Sequence, residues 1–198
     1  MFRFFLIFIV LTCNVFAISV KILATVNDVA ITNYDVSTRI ELTNLLRPDA
    51  FKGAGSAEVQ NFILESLIRE TLFIRKSGEF GFSISEAELE GEVESISKNI
   101  SYFKGKNPKS VLSEGMYNSF KHQVLSEIIS SSLVQSKLRG NVDFTEAEIE
   151  RVQKSYKESE GRIITSDEAK NILFSIRVQE AEQNLMSGIT EDAVIERK

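Results

Sequence analysis

The chain has 198 residues, of which 43% are hydrophobic, with 28 acidic against 23 basic side chains, one cysteine and one histidine. This is enough for one well-buried domain and too little for two large ones. An acidic balance lacks the basic face that nucleic-acid phosphates require, and one cysteine with one histidine cannot supply a structural or catalytic zinc site.

Residues 1–17 carry one cation, Arg3, then an uncharged apolar run ending in the small Ala17, which reads as a cleavable secretory signal. The run from Phe4 to Ala17 is 14 residues, short of the ~20 that a membrane-spanning helix needs. Its removal leaves 22 Lys+Arg against 28 Asp+Glu, a net charge of −6, and no cysteine for a disulfide. A lipid-anchored alternative would modify Cys13, but Val10-Leu11-Thr12 before it fits a lipobox poorly.

Next come two short β-forming runs, Ala24 to Val26 and Val29 to Ile31, separated by Asn27-Asp28, which tolerate positive φ. A tight hairpin follows, and alone it cannot bury its apolar face. Thr32 with Asp35 three residues on predicts a reciprocal cap on a helix from Tyr34 to Leu46, with Val36, Ile40 and Leu45 near one face and Pro48 ending it. After a loop at 49–55, Ser56 is expected to cap a helix whose wide stripe of Val59, Phe62, Ile63, Leu67, Phe73 and Ile74 marks it as central. Gly78 and Gly81 frame its end.

Ser83 to Glu86 opens a further helix carrying Leu89, Val93, Ile96 and Ile100 to about Tyr102. A break at 104–108 leads to a short helix from Pro108 that Gly115 is expected to end. The longest pattern runs from Met116 to Arg139, with Tyr117, Phe120, Val124, Ile129 and Leu133 inward and Gly140 as its stop. Thr145 starts a helix to about Lys157, a polar linker follows, and a last helix capped by Ser166 runs to Gly188. Ala193 to Ile195 is β-like and is expected to join the N-terminal hairpin as a third strand, since each otherwise leaves an open apolar edge. The fold class is therefore mostly α, a helical bundle with a small antiparallel sheet built from both ends of the chain.

No catalytic motif emerges. His122 lies one position off the main stripe of its helix and has no nucleophile or orienting partner in the pattern, so a satisfied or solvated histidine is the expectation. The acidic groups around Glu86, Glu146 and Glu158 lack calcium-loop spacing and mostly occupy first helical turns, where negative charge complements the macrodipole. Gly53-Ala54-Gly55 has no following Gly-Lys-Ser/Thr and is not a phosphate cradle. No cofactor is implied.

The run ATVNDVAITNYDV (24–36) resembles the opening of the SurA family of periplasmic chaperones. The likeness continues through FILESLIRETLF (62–73), GFSISEAELEGEVESI (81–96), EGMYNSFKHQV (114–124), VDFTEAEIERV (142–152) and the tail from Asp167. It implies a chaperone domain over 18–157, completed by 166–198. Between them, the short segment 158–165 stands where such relatives carry parvulin-type prolyl isomerase domains, so isomerase activity is expected to be absent. The resemblance further implies a periplasmic holdase that binds unfolded outer-membrane proteins in a cleft and hands them to the assembly machinery, without a stable membrane span. Candidate client-binding residues are Tyr102, Phe103, Met116, Tyr117 and Phe120 near a bend between helices, and Phe51 in the first loop. Tyr117 and Phe120 sit on a helical stripe where burial is the commoner fate, whereas Phe103, beside Gly105 and Lys106, is expected to be exposed. Two rival roles are an adaptor for a separate isomerase and a structural envelope protein.

Overall fold

A computed structural model describes residues 19–138, 143–191 and 193–198; the expected signal at 1–17 and the Gly140 stop lie outside them. Strands β1 (Ile22–Val26) and β2 (Val29–Thr32) form the hairpin, and β3 (Ile195–Arg197) pairs with the other edge of β1, giving the antiparallel order β2-β1-β3. Val26 faces Val29 on one side and Ile195 on the other. Asn27 turns the hairpin at φ +51°, a region its short polar side chain tolerates. It also fastens the C-terminus: its N–H donates to the Val194 carbonyl at 2.8 Å and its Oδ1 accepts from Val194 N–H at 3.0 Å.

The hairpin leads directly into α1 (Asn33–Leu46), capped by the reciprocal Thr32–Asp35 pair that the spacing predicts. Helix α2 (Ser56–Lys76) begins one residue earlier than expected, because Gly55 takes the extended N-cap position and Ser56 is the first helical residue. It closes through a 3-10 turn at Ser77–Phe80 and Gly81 at φ +69°. Helix α3 (Glu86–Ser97), with a Ser85–Glu88 capping box, stops short of Tyr102, and successive turns continue to Lys106. Helix α4 (Pro108–Val111) is a single turn. Gly115 does not end it; Gly115 lies in the first turn of α5 (Glu114–Leu138), where Ser113 accepts from Met116 and Tyr117 backbone N–H groups.

Helix α6 (Glu146–Glu160) runs three residues beyond the expected Lys157 into Gly161 at φ +66°. Helix α7 (Ser166–Glu191) is capped not by Ser166 but by Thr165, whose Oγ1 accepts from Glu168 N–H while Glu168 accepts from Thr165 N–H. It continues past Gly188, because intrahelical bonds and burial of Leu185 and Ile189 outweigh one glycine's ~1 kcal/mol cost. Among the described residues no helix is long and apolar enough to cross a membrane.

The apolar interior falls into three clusters. One lies between the sheet, α2, the second half of α5 and the end of α7, with Val26, Leu72, Phe73, Ile129 and Ile189 nearly inaccessible. The second joins α1, α3 and the loop after α3 to the first half of α5. The third, around Ile149, Ile164, Ala169 and Leu173, belongs to the α6–α7 hairpin. The length of α5 lets one helix serve the first two clusters at once.

Because β3 supplies the outer partner of β1, deletion of 193–198 removes, besides the β1–β3 ladder itself, three bonds: Asn27 N–H to the Val194 carbonyl, Lys198 N–H to the Leu23 carbonyl and Val194 N–H to Asn27 Oδ1. At ~1 kcal/mol per bond these three alone lower stability by roughly 3 kcal/mol, and Tm by at least about 5–10 °C. Circular-dichroism melting checks it, and an unchanged Tm contradicts a closing role for the strand.

Candidate functional site

Two adjoining hollows form a groove along α2 and α5. One, of about 370 Å³, lies between α1, α2, α3 and α5; the next, of about 440 Å³, extends toward α7. Ser66, Glu70, Gln123 and Glu127 line both, which makes the surface continuous. Phe62 stands at the rim with 65% of its surface exposed, its ring edge-on to Phe51 at 6.5 Å. A separate cleft of about 370 Å³ opens beside β2, lined by Ile31, Tyr34, Leu67, Asn118 and His122. Gly115 makes room for Tyr34 there, since a Cβ at that position would stand 2.7 Å from the Tyr34 hydroxyl. β2 is an edge strand of the sheet, and its residues Val29, Ala30 and Ile31 line this cleft.

A buried polar network separates groove and cleft. Arg39, only 3% exposed, donates from Nη1 and Nη2 to the two Glu70 carboxylate oxygens at 2.5 and 2.9 Å. The same guanidinium donates to Ser119 Oγ and to the Ser119 carbonyl, each at 2.8 Å, and so ties α1 to α2 and α5. Ser66 donates to Glu70 at 3.3 Å, and His122 Nδ1 lies 3.0 Å from Glu70 Oε2. Burial by itself would push the Glu70 carboxyl up; the hydrogen bonds from His122 and Arg39, with the Arg39 charge, outweigh it and hold the group below the usual glutamate range. His122 is thus a satisfied helix histidine, and its partner is a carboxylate rather than a nucleophile.

The sequence-predicted candidates divide. Phe103 is 1% exposed, which corrects the expectation of an exposed ring. The chain turns inward at the loop, and Phe103 packs against Tyr102 at 5.3 Å and Phe120 at 5.5 Å. Tyr117 and Phe120 are buried in the same cluster, Tyr102 and Met116 are half-buried against it, and Phe51 is half-buried against the first cluster. Of the six, Phe120 alone lines the groove. The aromatic ring that stands open at the groove is Phe62, which the spacing places on the central stripe of α2. Arg39 and Glu70 were also missed, although each interrupts an apolar face at helical spacing: Val36, Arg39, Leu42 on one helix and Ile63, Leu67, Glu70, Ile74 on the other. A cation on one buried stripe and an anion on its neighbour is the available signal.

The chain resembles SurA chaperones. It is 29% identical over 93 residues to Chaperone SurA of Methylobacillus flagellatus, covering 46% of this chain and 21% of that protein. It is 27% identical over 137 residues to Chaperone SurA of Vibrio vulnificus, covering 67% of this chain and 31% of that protein. The chain therefore spans less than a third of either relative's length in these matches. No protein-family model matches it.

Phe103→Ala removes a fully packed ring and is expected to cost about 3–5 kcal/mol, read as a fall in the denaturation midpoint. Arg39→Met strands the Glu70 carboxylate and is expected to cost about 3–5 kcal/mol at pH 7. Since the folded Glu70 group ionises below its unfolded counterpart, its contribution is complete above the ordinary glutamate value of about 4.3 and is lost as pH falls through the folded value. Wild type and Glu70→Gln should accordingly differ at pH 7 and converge in acid; a gap that persists undiminished to pH 2 contradicts this linkage.

Proposed function

We propose that the protein is a SurA-related, non-catalytic chaperone of the periplasm that holds unfolded outer-membrane proteins for assembly. The observation that carries the reading is the groove shared by two hollows along α2 and α5, long enough for an extended segment and rimmed by the open ring of Phe62. Its walls mix apolar side chains with Ser66, Gln123 and Glu127, a surface that can accept many sequences without demanding one. The similarity to two SurA chaperones supports the same role. Membrane-barrel strands expose alternating apolar residues before insertion and are suitable guests.

The absence of prolyl isomerase activity is part of the proposal. Helices α6 and α7 are separated by five residues and pack on each other, which supports a hairpin where the fuller pattern has an inserted domain. An adaptor role is the second reading, favoured by Ile163 at the hairpin tip, 79% exposed. In that case one folded partner, rather than many unfolded chains, would be retained.

The test is suppression of aggregation of a diluted, unfolded outer-membrane porin. Wild type should suppress it, and Phe62→Ala should weaken suppression several-fold while Tm stays within about 1–2 °C, because an exposed surface residue contributes little to stability. Undiminished suppression by the variant removes the groove from client binding. Failure of wild type to suppress aggregation removes the holdase reading.

A further inference from the structure

The segment from Ser95 to Ser113 contains Lys98, Lys104, Lys106 and Lys109 and no acidic residue, in a chain whose net charge is −5. Its shape is pinned from within. The Phe103 side chain is buried against Phe120, Pro108 is buried, and turns link Ile96 to Asn99, Ser97 to Ile100, Ile100 to Phe103 and Phe103 to Lys106. Gly105 at φ +78° lets the chain reverse between two lysines, with nothing near its Cβ position. With the aromatic anchored inward, Lys98, Lys104 and Lys106 are exposed.

Not all these charges are equivalent. Lys109 pairs with Glu90 at 3.2 Å, and Lys121, on the neighbouring helix, with Glu86. Lys98 occupies the C-cap of α3, where a cation complements the helix dipole, and Glu94 lies one turn before it. Lys104 and Lys106 have no such intramolecular use, and among the described residues neither forms an ion pair. Arg47, exposed at the end of α1, lines the same hollow as Asn99 and Ile100 and brings another cation to this end of the molecule. Glu86 and Glu88 stand roughly 15–18 Å along α3 from Lys98, beyond the screening length of about 8 Å at physiological salt, whereas Glu90, paired with Lys109, and Glu92 and Glu94 lie nearer and offset part of the positive charge.

We propose that this loop is a docking surface for anionic phospholipid headgroups at a bilayer surface. The segment offers exposed lysine point charges without an arginine fork, which suits a laterally mobile array of phosphates better than a single shaped anion. Attraction is electrostatic, shallow and reversible. It does not depend on the holding of unfolded chains.

Co-sedimentation of the full chain with vesicles tests it. Binding to vesicles of 30% phosphatidylglycerol in phosphatidylcholine should exceed binding to phosphatidylcholine alone in about 50 mM salt and vanish in about 500 mM salt. The neutral vesicles subtract any apolar contribution, including that of the N-terminal residues. K104Q/K106Q should weaken the anionic partitioning about 25-fold, fivefold per lysine, with K98Q adding a smaller loss and the Tm unchanged. K154Q/K157Q, which removes equal charge from α6, should bind as wild type. Equal binding to both vesicle types, equal loss in the two double variants, or retention of poly-glutamate but not of vesicles through Lys104 and Lys106 would each overturn the proposal.

Discussion

A single guanidinium holds the helical body in register. Arg39 reaches from α1 to a carboxylate on α2 and to a hydroxyl and carbonyl on α5, so three helices share one buried charge cluster. Apolar packing alone would tolerate sliding among these helices, because Leu, Ile and Val contacts are non-directional. The bidentate pair is directional, and its desolvation makes any misalignment costly. Glu70 lines both hollows of the groove and accepts from Arg39, Ser66 and His122, so the wall of the proposed binding surface rests on the same cluster that aligns the helices.

The sheet supplies a second constraint of a different kind. With β1 paired on both sides, the N-terminal hairpin and the C-terminal strand cannot form their ladders independently. Residues separated by 167 positions meet at Asn27 and Val194, an arrangement that is slow to find and strong once closed, because loop-closure entropy is lost before the contact is gained. The end of α7 is thereby drawn onto the first cluster, where Leu185 and Ile189 are buried. Its beginning is left to pack with α6 around a separate small cluster.

Burial of Phe103 shows how one side chain organises two surfaces. Its ring fills the space between α1, α3 and α5, and the polar residues next to it have no direction left but outward. An aromatic next to glycine and lysine in a break reads from sequence as an exposed contact. In three dimensions it is the plug that shapes the loop, and the ring open at the groove is Phe62 on α2.

Local chemistry was legible in the sequence wherever it acts within a few residues. Hairpin turn, the reciprocal cap at Thr32, the helix starts near Ser85 and at Thr145, helix periodicity and the β-like C-terminus follow from short-range hydrogen bonding and side-chain spacing, and each element appears near its expected place. The cap at Thr165 is itself a local Thr-x-x-Glu pair, whereas the passage of α5 and α7 through Gly115 and Gly188 rests on contacts that outweigh single-residue propensities. Which face of α2 is open, where Phe103 points and which anion meets Arg39 depend on residues 17 to 80 positions apart. The sequence by itself determined the elements and the closure of the sheet; only tertiary packing decided the groove and its buried ion pair, because an amphipathic stripe states that a residue can be covered and not by what.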